Sequence, residues 1–175
     1  INRERFIERN RNNKRVNRVD AHAEQSVAEW TGEVEHQVQI GNRHQMGIGT
    51  ELIANNVTIH EDTFNVESAY WKQQAMRLAV FLQDEISLTP QTKFKAGLRF
   101  NYSFELKRSY FDPRLSIQTQ VADNWKINLA WGIYHQFLMK SSVIDEDENY
   151  HYIWAVANNT TIPVLKAVHY VGGIV

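Results

Sequence analysis

Apolar and polar residues alternate with a period of two along much of the chain. The clearest case is the stretch 93–106. One parity holds Phe94, Ala96, Leu98, Phe100, Tyr102, Phe104 and Leu106, and the other holds Lys93, Lys95, Gly97, Arg99, Asn101, Ser103 and Glu105. Successive side chains of a β-strand point to opposite faces, so this pattern predicts a strand with one apolar and one polar face.

The same alternation recurs between clusters of turn residues and predicts about seven antiparallel strands in meander order. The predicted strands lie near residues 17–40, 45–58, 69–88, 93–105, 110–121, 125–138 and 166–175. Short turns are expected at 41–44, 89–92 and 122–124, and longer connections at about 55–68, 105–110 and 139–165. Short turns at one end, long loops at the other and strands longer than about 9 residues are typical of an outer-membrane β-barrel.

Alternation by itself does not distinguish a membrane barrel from a soluble β-sandwich. Two details favour the barrel. Aromatic residues such as Phe94, Trp125 and Phe111 stand near the ends of the apolar runs, as in the aromatic girdles of a lipid-facing band. The strand glycines Gly97 and Gly132 lie on the polar face, where glycine permits another backbone to come close. The pattern therefore predicts a polar lumen that is filled.

Composition narrows the choice of function. The chain has 175 residues, a formal charge of −1 and no cysteine. A net charge near zero argues against binding nucleic acid through a strong basic field, and the lack of cysteine excludes disulfides, Cys-ligated zinc and a thiol nucleophile. The longest stretch without Asp, Glu, Lys or Arg, 149–165, is too short and too polar for a spanning helix. Because the chain starts at Ile1 without Met and stops within a predicted strand, we expect a segment of a longer protein.

Several motifs in order resemble the barrel strands of the TonB-dependent outer-membrane receptors, in the form found in Bacteroidota. They cover 79–173, more than half of the chain, and their order and spacing make the resemblance specific. They are Ala79-Val80-Phe81-Leu82-Gln83-Asp84-Glu85-Ile86-Ser87-Leu88-Thr89, Lys95-Ala96-Gly97-Leu98-Arg99-Phe100-Asn101-Tyr102, Phe111-Asp112-Pro113-Arg114-Leu115-Ser116, Asp123-Asn124-Trp125-Lys126-Ile127, Trp131-Gly132-Ile133-Tyr134-His135-Gln136-Phe137 and Pro163-Val164-Leu165-Lys166-Ala167-Val168-His169-Tyr170-Val171-Gly172-Gly173.

The resemblance implies an all-β antiparallel meander that forms part of a transmembrane barrel of about 22 strands. Residues 1–175 are then a segment of one barrel domain without its plug, with extracellular loops at 1–16 and 139–165. It also implies a Gram-negative outer-membrane location and active import of an iron chelate, vitamin, glycan or peptide. The implied partners are outer-membrane lipid, the plug domain of the full-length protein, the TonB complex and a surface lipoprotein, with no nucleic acid and no cofactor. Two alternatives stay open: a passive or structural barrel such as a porin or secretion component, and a soluble lipocalin-type binder.

The polar face supplies the candidate functional residues. Glu85, Arg99 and Arg114 are expected to face the lumen and, with Gly97 and Gly132, to contact the plug; the alternative is that the charges are solvated or form ion pairs within the wall.

Substrate-vestibule candidates come from two places. Tyr134 and Gln136 lie on the polar parity near the outer end of a strand. Tyr152 and Trp154 belong to an aromatic cluster with Tyr150 and His151, which is either a substrate-contacting loop or a short extracellular hairpin.

Other charged groups have simpler interpretations. The acidic run 145–148 lacks the spacing of a calcium loop and is read as a solvated loop, and the basic stretch 3–18 is read as a solvated or plug-linked segment rather than an anion or lipopolysaccharide site. His135 and His169 are read as structural or lumen groups, and no metal site is predicted. With no nucleophile elbow, phosphate loop or dinucleotide fingerprint, an enzyme is not predicted.

Overall fold

The computed structural model describes residues 21–63, 66–144, 150–158 and 160–175. Its strands are β1 (Ala21–Ile40), β2 (His44–Thr63), β3 (Val66–Thr89), β4 (Thr92–Ser103), β5 (Arg108–Ala122), β6 (Trp125–Gln136), β7 (Leu138–Ile144), β8 (Tyr150–Val156) and β9 (Leu165–Ile174). β1 to β6 and β9 form one sheet in the order β1-β2-β3-β4-β5-β6-β9, and β7 and β8 form a second, two-stranded sheet. The predicted antiparallel meander of seven strands is therefore confirmed. No helix in the described part of the chain is long and apolar enough to cross a membrane.

Two of the predicted connections are wrong. The long connection expected at 55–68 is strand for most of its length, since β2 continues to Thr63 and β3 begins at Val66. The connection expected at 105–110 is a tight turn over 104–107, in which Lys107 takes a positive φ of 51°. At 55–68 polar residues on both parities hid the alternation of a strand, and at 105–110 the polar run is shortened to a four-residue turn because β5 begins at Arg108.

The region 139–165, predicted as an extracellular loop, contains the β7–β8 hairpin. The hairpin alternative for its aromatic cluster agrees with this structure, whereas the extracellular location of 139–165 and of 1–16 stays a prediction.

The register of the sheet separates its side chains as the alternation predicts. Gln83 pairs with Gly97, Gly97 with Arg114 and Arg114 with Gly132, so these residues share one face. We call it the polar face; it also carries Glu85, Lys95, Arg99, Asn101, Asp112, Ser116 and Tyr134. The opposite, apolar face carries Leu82, Leu98, Phe100, Leu115, Ile117, Leu129, Trp131 and Val168.

Large side chains of the apolar face stay exposed. Leu98 is 48% exposed, Leu129 53% and Trp125 58%. A continuous apolar surface of this kind is unusual on a soluble monomer and is the property of a surface that meets lipid or protein. Asp84, the one carboxylate that interrupts this face in β3, lies 2.7 Å from His44 Nδ1, so a polar partner accompanies it.

The chain divides into two compact units. One comprises Ile1–Glu29, Asn55–Gln74 and Leu138–Val156, and the other comprises Trp30–Ala54, Ala75–Phe137 and Ala157–Val175. Buried apolar residues of the described chain are few, and they lie mostly in β2 and in or beside the β7–β8 hairpin: Ile53, Val57, Ile59, Ala79, Phe137, Met139, Ala155, Val156 and Ala157.

In the first unit the β7–β8 hairpin is tied to the strands on both sides of β2. The Gln25 side chain of β1 donates to the Tyr152 carbonyl at 2.9 Å and accepts from the Trp154 amide at 3.1 Å. Gln73 of β3 accepts from the Val156 amide at 2.9 Å. These glutamines pair the free edge of β8, whose backbone groups would otherwise lack partners. The hairpin therefore lies across β2, where Val57 is fully buried.

Candidate functional site

The polar face of the second unit holds a continuous hydrogen-bonded network that joins four strands. Arg99 of β4 forms an ion pair with Glu51 of β2, passing over β3 where the small residue Ala79 lies. Arg99 Nε also donates to Asn101 Oδ1 at 3.2 Å, and Asn101 Nδ2 donates to Asp112 Oδ2 at 2.9 Å. Asp112 of β5 then bonds through Oδ1 to His135 Nδ1 of β6 at 2.5 Å.

Asp112 is the centre of this network. It is only 3% exposed, and Asn101 is 2% exposed. A buried carboxylate is tolerated only when its oxygens are hydrogen-bonded, and here each oxygen has a partner. The backbone pairing of β5 with β6 ends at Arg114–Gly132, so the Asp112–His135 bond joins the two strands beyond that point.

Aromatic contacts extend the network toward the end of β6. The ring of Tyr110 packs against His135 and against Phe137, with 5.0 Å between centroids in each pair. The Arg77 guanidinium lies over Phe137, 4.4 Å from the ring centroid. The Ala157 amide donates to the Phe137 carbonyl at 2.8 Å, and Phe137 is thereby held on several sides.

Two of the predicted lumen charges are engaged within the wall. Glu85 accepts from Lys93 at 2.7 Å, and Arg99 pairs with Glu51 as described above. Glu85 and Arg99 thus form ion pairs within the wall, which was the alternative to plug contact.

Arg114, the third predicted lumen charge, has a different environment. Its guanidinium stacks over the Tyr134 ring, 4.7 Å from the centroid. Tyr134 in turn packs against His169 at 4.8 Å. Arg114 makes no ion pair within the described part of the chain.

The polar-face glycines fall into two groups. At Gly132 an added Cβ would lie 3.0 Å from the Tyr134 ring, and at Gly49 it would overlap the ring of Phe81. Glycine there lets an aromatic ring of the same wall lie flat on the sheet. At Gly97 an added Cβ would meet Gln83 Cβ at an ordinary 3.4 Å. The wall itself thus explains Gly132 and Gly49, and it leaves Gly97 unexplained.

The vestibule candidates are placed in separate units. Tyr134 and Gln136 belong to β6 of the second unit. The Tyr134 ring already contacts the Arg114 guanidinium and the His169 ring. Tyr152 is 61% exposed and Trp154 37% exposed; both belong to the hairpin of the first unit. Lys140 lies over the Tyr152 ring at 5.1 Å.

Some predicted features lie outside the described residues, namely the basic stretch 3–18 and the acidic run 145–148. Within the described ranges no group of three or more His, Cys, Asp or Glu side chains is arranged to hold a metal ion.

Sequence reasoning missed Glu51, Asn101 and Asp112 as members of the site. Their signal was weak but present, since each is a polar residue on the polar parity of its strand. The alternating pattern does not show which residues become partners across strands. Glu51 and Arg99 are 48 positions apart, and Asp112 and His135 are 23 apart.

These observations define a class of protein. A seven-stranded antiparallel sheet with long strands, one largely exposed apolar face and one face carrying a buried polar network is typical of the wall of a β-barrel. Residues 2–134 match the sequence model of a family described as "TonB dependent receptor-like, beta-barrel". The chain belongs to this family of TonB-dependent receptors.

Solved structures agree with this assignment at the level of the fold. The chain is similar to the siderophore receptor PirA from Pseudomonas aeruginosa, with a TM-score of 0.55 and 14% identity over 89% of this chain and 30% of that one. It is also similar to the RagAB peptide transporter, with TM-score 0.52 and 11% identity over 89% of this chain and 22% of that one. No curated protein matches the sequence. The chain spans less than a third of the length of the two receptors named here.

Proposed function

We propose that this chain forms part of the barrel of a TonB-dependent active transporter, which imports a nutrient across the outer membrane of a Gram-negative bacterium. The observation that carries the proposal is the family match over 2–134, together with a sheet whose apolar face leaves large side chains such as Leu98, Leu115 and Leu129 exposed. A barrel of about 22 strands with a plugged lumen is part of the same proposal. The likeness to RagAB supports the Bacteroidota-type relationship, and a surface lipoprotein as a further partner stays a prediction.

Transport is tested by uptake in three strains of the source bacterium: wild type, a deletion of the full-length gene and a strain without TonB. The probes are iron chelates, vitamins, glycans and peptides supplied separately. We expect uptake of one probe class to fall in both altered strains. Uptake that needs the barrel and continues without TonB would instead identify a passive channel.

The orientation of the wall is tested with two neighbouring residues of β5. Leu115 lies on the apolar face and Ser116 on the polar face. This chain has no cysteine, so single Cys variants are clean probes if the rest of the full-length protein is also cysteine-free. In outer membranes, Leu115→Cys is expected to resist a water-soluble maleimide and to react with it only after the protein is unfolded in detergent, because a thiol that faces hydrocarbon stays protonated and maleimide reacts with the thiolate. The reverse result would show that the apolar face does not meet lipid.

The plug contact proposed for Glu85, Arg99, Arg114, Gly97 and Gly132 is tested with Ser116→Cys. A filled lumen predicts that this cysteine is protected from the water-soluble maleimide in the full-length protein. In-frame deletion of the plug is expected to expose it. Equal labelling of the two proteins would contradict plug contact at this wall. Arg114 and Gly97 are the residues whose own wall leaves them available for such a contact.

The vestibule role proposed for Tyr134, Gln136, Tyr152 and Trp154 rests most firmly on the hairpin, where Tyr152 and Trp154 are exposed. Trp154→Ala is expected to weaken binding of the imported compound about 10-fold, since burial of one large apolar side chain against a ligand contributes about 1.5–3 kcal/mol. Trp30→Ala, which removes a Trp that is 74% exposed on β1, is the control and is expected to leave binding unchanged.

A further inference from the structure

The carboxylate of Asp84 interrupts the apolar face near the end of the sheet that carries the short turns. Asp84 lies on the same parity of β3 as Leu82 and Ile86, and its Cα partner in β4 is Ala96. A charged group on a lipid-facing surface costs free energy that depends on its depth, so an ionisable residue there marks a functional site unless the wall itself requires it. The contacts of Asp84 decide between these two roles.

Within the described residues, Asp84 is hydrogen-bonded through one of its two oxygens. Its Oδ2 lies 2.7 Å from His44 Nδ1, and the side chains of His44 and Asp84 are 45% and 25% exposed. Its Oδ1 is buried and makes no hydrogen bond with the described part of the chain. Asp112, by contrast, has a partner on each oxygen. A buried carboxylate that serves the wall is expected to use both oxygens, as Asp112 does. Asp84 instead serves one group, the ring of His44.

His44 lies at the end of the sheet, next to a second basic residue. It is the first residue of β2 and follows the turn 41–43 directly. Arg43 in that turn is exposed and forms no ion pair with any residue in the described ranges. The Arg43 carbonyl accepts from the Ser87 amide at 2.8 Å, which fixes the turn against β3. Arg43, His44 and Asp84 belong to one compact unit. In the proposed barrel, this end of the strands reaches the headgroup region of the membrane.

Apolar surface adjoins this polar group on the side away from the turns. Ile48 is 53% exposed and lies four residues along β2 from His44. Leu82 is 48% exposed and lies two residues along β3 from Asp84. Even spacings place these side chains on the same face as His44 and Asp84. A basic edge beside an apolar strip matches a molecule with an anionic head and hydrocarbon chains.

Resting on the proposed lipid-facing wall, we propose that Arg43 and His44 bind the phosphodiester of a glycerophospholipid, with Asp84 as a positioning residue. An imidazolium ring donates through both nitrogens, so Nδ1 of His44 donates to Asp84 and Nε2 donates to the phosphate. The Arg43 guanidinium supplies further N–H donors to the same phosphate oxygens. The acyl chains lie along Ile48 and Leu82. Because the phosphodiester is the recognised group, zwitterionic and anionic phospholipids both bind.

The test is native mass spectrometry of the full-length protein, purified in dodecyl maltoside and supplied with one lipid at a time. The probes are phosphatidylethanolamine, phosphatidylglycerol and a glucosyl diacylglycerol with the same acyl chains, which has no phosphate. We expect both phospholipids to be retained about 10-fold more than the glucosyl lipid, since a hydrogen bond to a charged group strengthens binding by roughly this factor or more. His44→Gln is expected to reduce this preference to about 2-fold.

Matched variants separate headgroup binding from general damage. His36→Gln is the control, because His36 is an exposed histidine of β1 that forms no ion pair with the described residues, and the lipid preference is expected to stay unchanged. Asp84→Asn should remove part of the preference, since an amide still bonds the ring but lacks the charge that balances an imidazolium. Arg43→Gln should also remove part of it. Folding of each variant is checked by its heat-modifiable migration in SDS gels.

Two results would overturn the headgroup site. If His44→Gln lowers the stability of the barrel and keeps the wild-type lipid preference, the His44–Asp84 pair serves only the wall. If phosphatidylethanolamine is retained and phosphatidylglycerol is not, the ammonium group is recognised and the phosphate is not.

Failure of this site is distinguishable from failure of the lipid-facing wall, because Leu115→Cys reports on the wall independently. If Leu115→Cys resists the water-soluble maleimide in outer membranes and no probe is preferred, the headgroup site is wrong and the lipid-facing wall stands. If Leu115→Cys is labelled without unfolding, both proposals fall.

Discussion

Removal of the Asp112 carboxylate provides a direct test of the buried network. Asp112 is 3% exposed and accepts from Asn101 at 2.9 Å and bonds to His135 at 2.5 Å. Asp112→Ala leaves both partners buried without an acceptor. Each such loss costs about 1–3 kcal/mol, so the free energy of unfolding is expected to fall by about 2–6 kcal/mol. Asp112→Asn keeps the shape and one acceptor oxygen, so we expect about half of that loss.

The measurement is urea unfolding of the full-length barrel in lipid vesicles, followed by tryptophan fluorescence, since this chain alone contributes five Trp residues. The control is Asp123→Ala in the exposed β5–β6 turn, where a change below about 0.5 kcal/mol is expected. A double variant, Asp112→Ala with His135→Ala, should cost less than the sum of the single variants, because the second change removes a group that the first left unpaired. If Asp112→Ala unfolds at the same urea concentration as Asp123→Ala, the network does not stabilise the wall.

Three further predictions concern the two faces and the hairpin. Gly49→Ala should lower the unfolding free energy, because the new methyl group displaces the Phe81 ring, and urea titration measures the loss. Leu98→Arg should reduce stability in lipid by about 2–4 kcal/mol, since the apolar face meets hydrocarbon in the proposed barrel; refolding yield and urea titration report it. Gln73→Ala should speed hydrogen exchange of the Val156 amide about 5-fold, since a hydrogen bond contributes about 1 kcal/mol, and mass spectrometry detects this.

Each of these has a control nearby. Gly173→Ala adds the same methyl group in open space and should be neutral. Gln118→Arg places the same charge on the polar face of β5 and should cost little. Gln74→Ala removes the neighbouring amide, which bonds Asn56 at 2.6 Å instead of the hairpin. A variant that behaves like its control would show that the assigned contact has no energetic role.

The strand pattern was predictable because it depends on local backbone geometry. Alternation placed Leu98 and Arg99 on opposite faces without any knowledge of their neighbours, and turn residues at 41–44, 89–92 and 122–124 separated the strands. Prediction failed at 55–68 because a strand with many polar residues on both parities has no clear alternation. The sequence pattern did not decide between a loop and a hairpin in 139–165. The position of the hairpin depends on hydrogen bonds to distant residues such as Gln25 and Gln73.

The candidate site was only partly predictable for a similar reason. Polar parity identified Arg99 and Arg114 as residues of one face, and the register confirms that placement. Parity did not distinguish the environments of the two arginines. Arg99 forms an ion pair with Glu51, whereas Arg114 only stacks on the Tyr134 ring. That difference depends on which strands become neighbours and on how far each is shifted against the next.

By itself, the sequence determined the period-two strands, the separation of apolar from polar side chains and the family resemblance, because these are properties of consecutive residues. The tertiary structure alone decided which charges are balanced, which glycines serve rings of the same wall and where the β7–β8 hairpin packs. Those features arise from contacts between residues far apart in the chain, and their geometry exists only after the strands have paired in register.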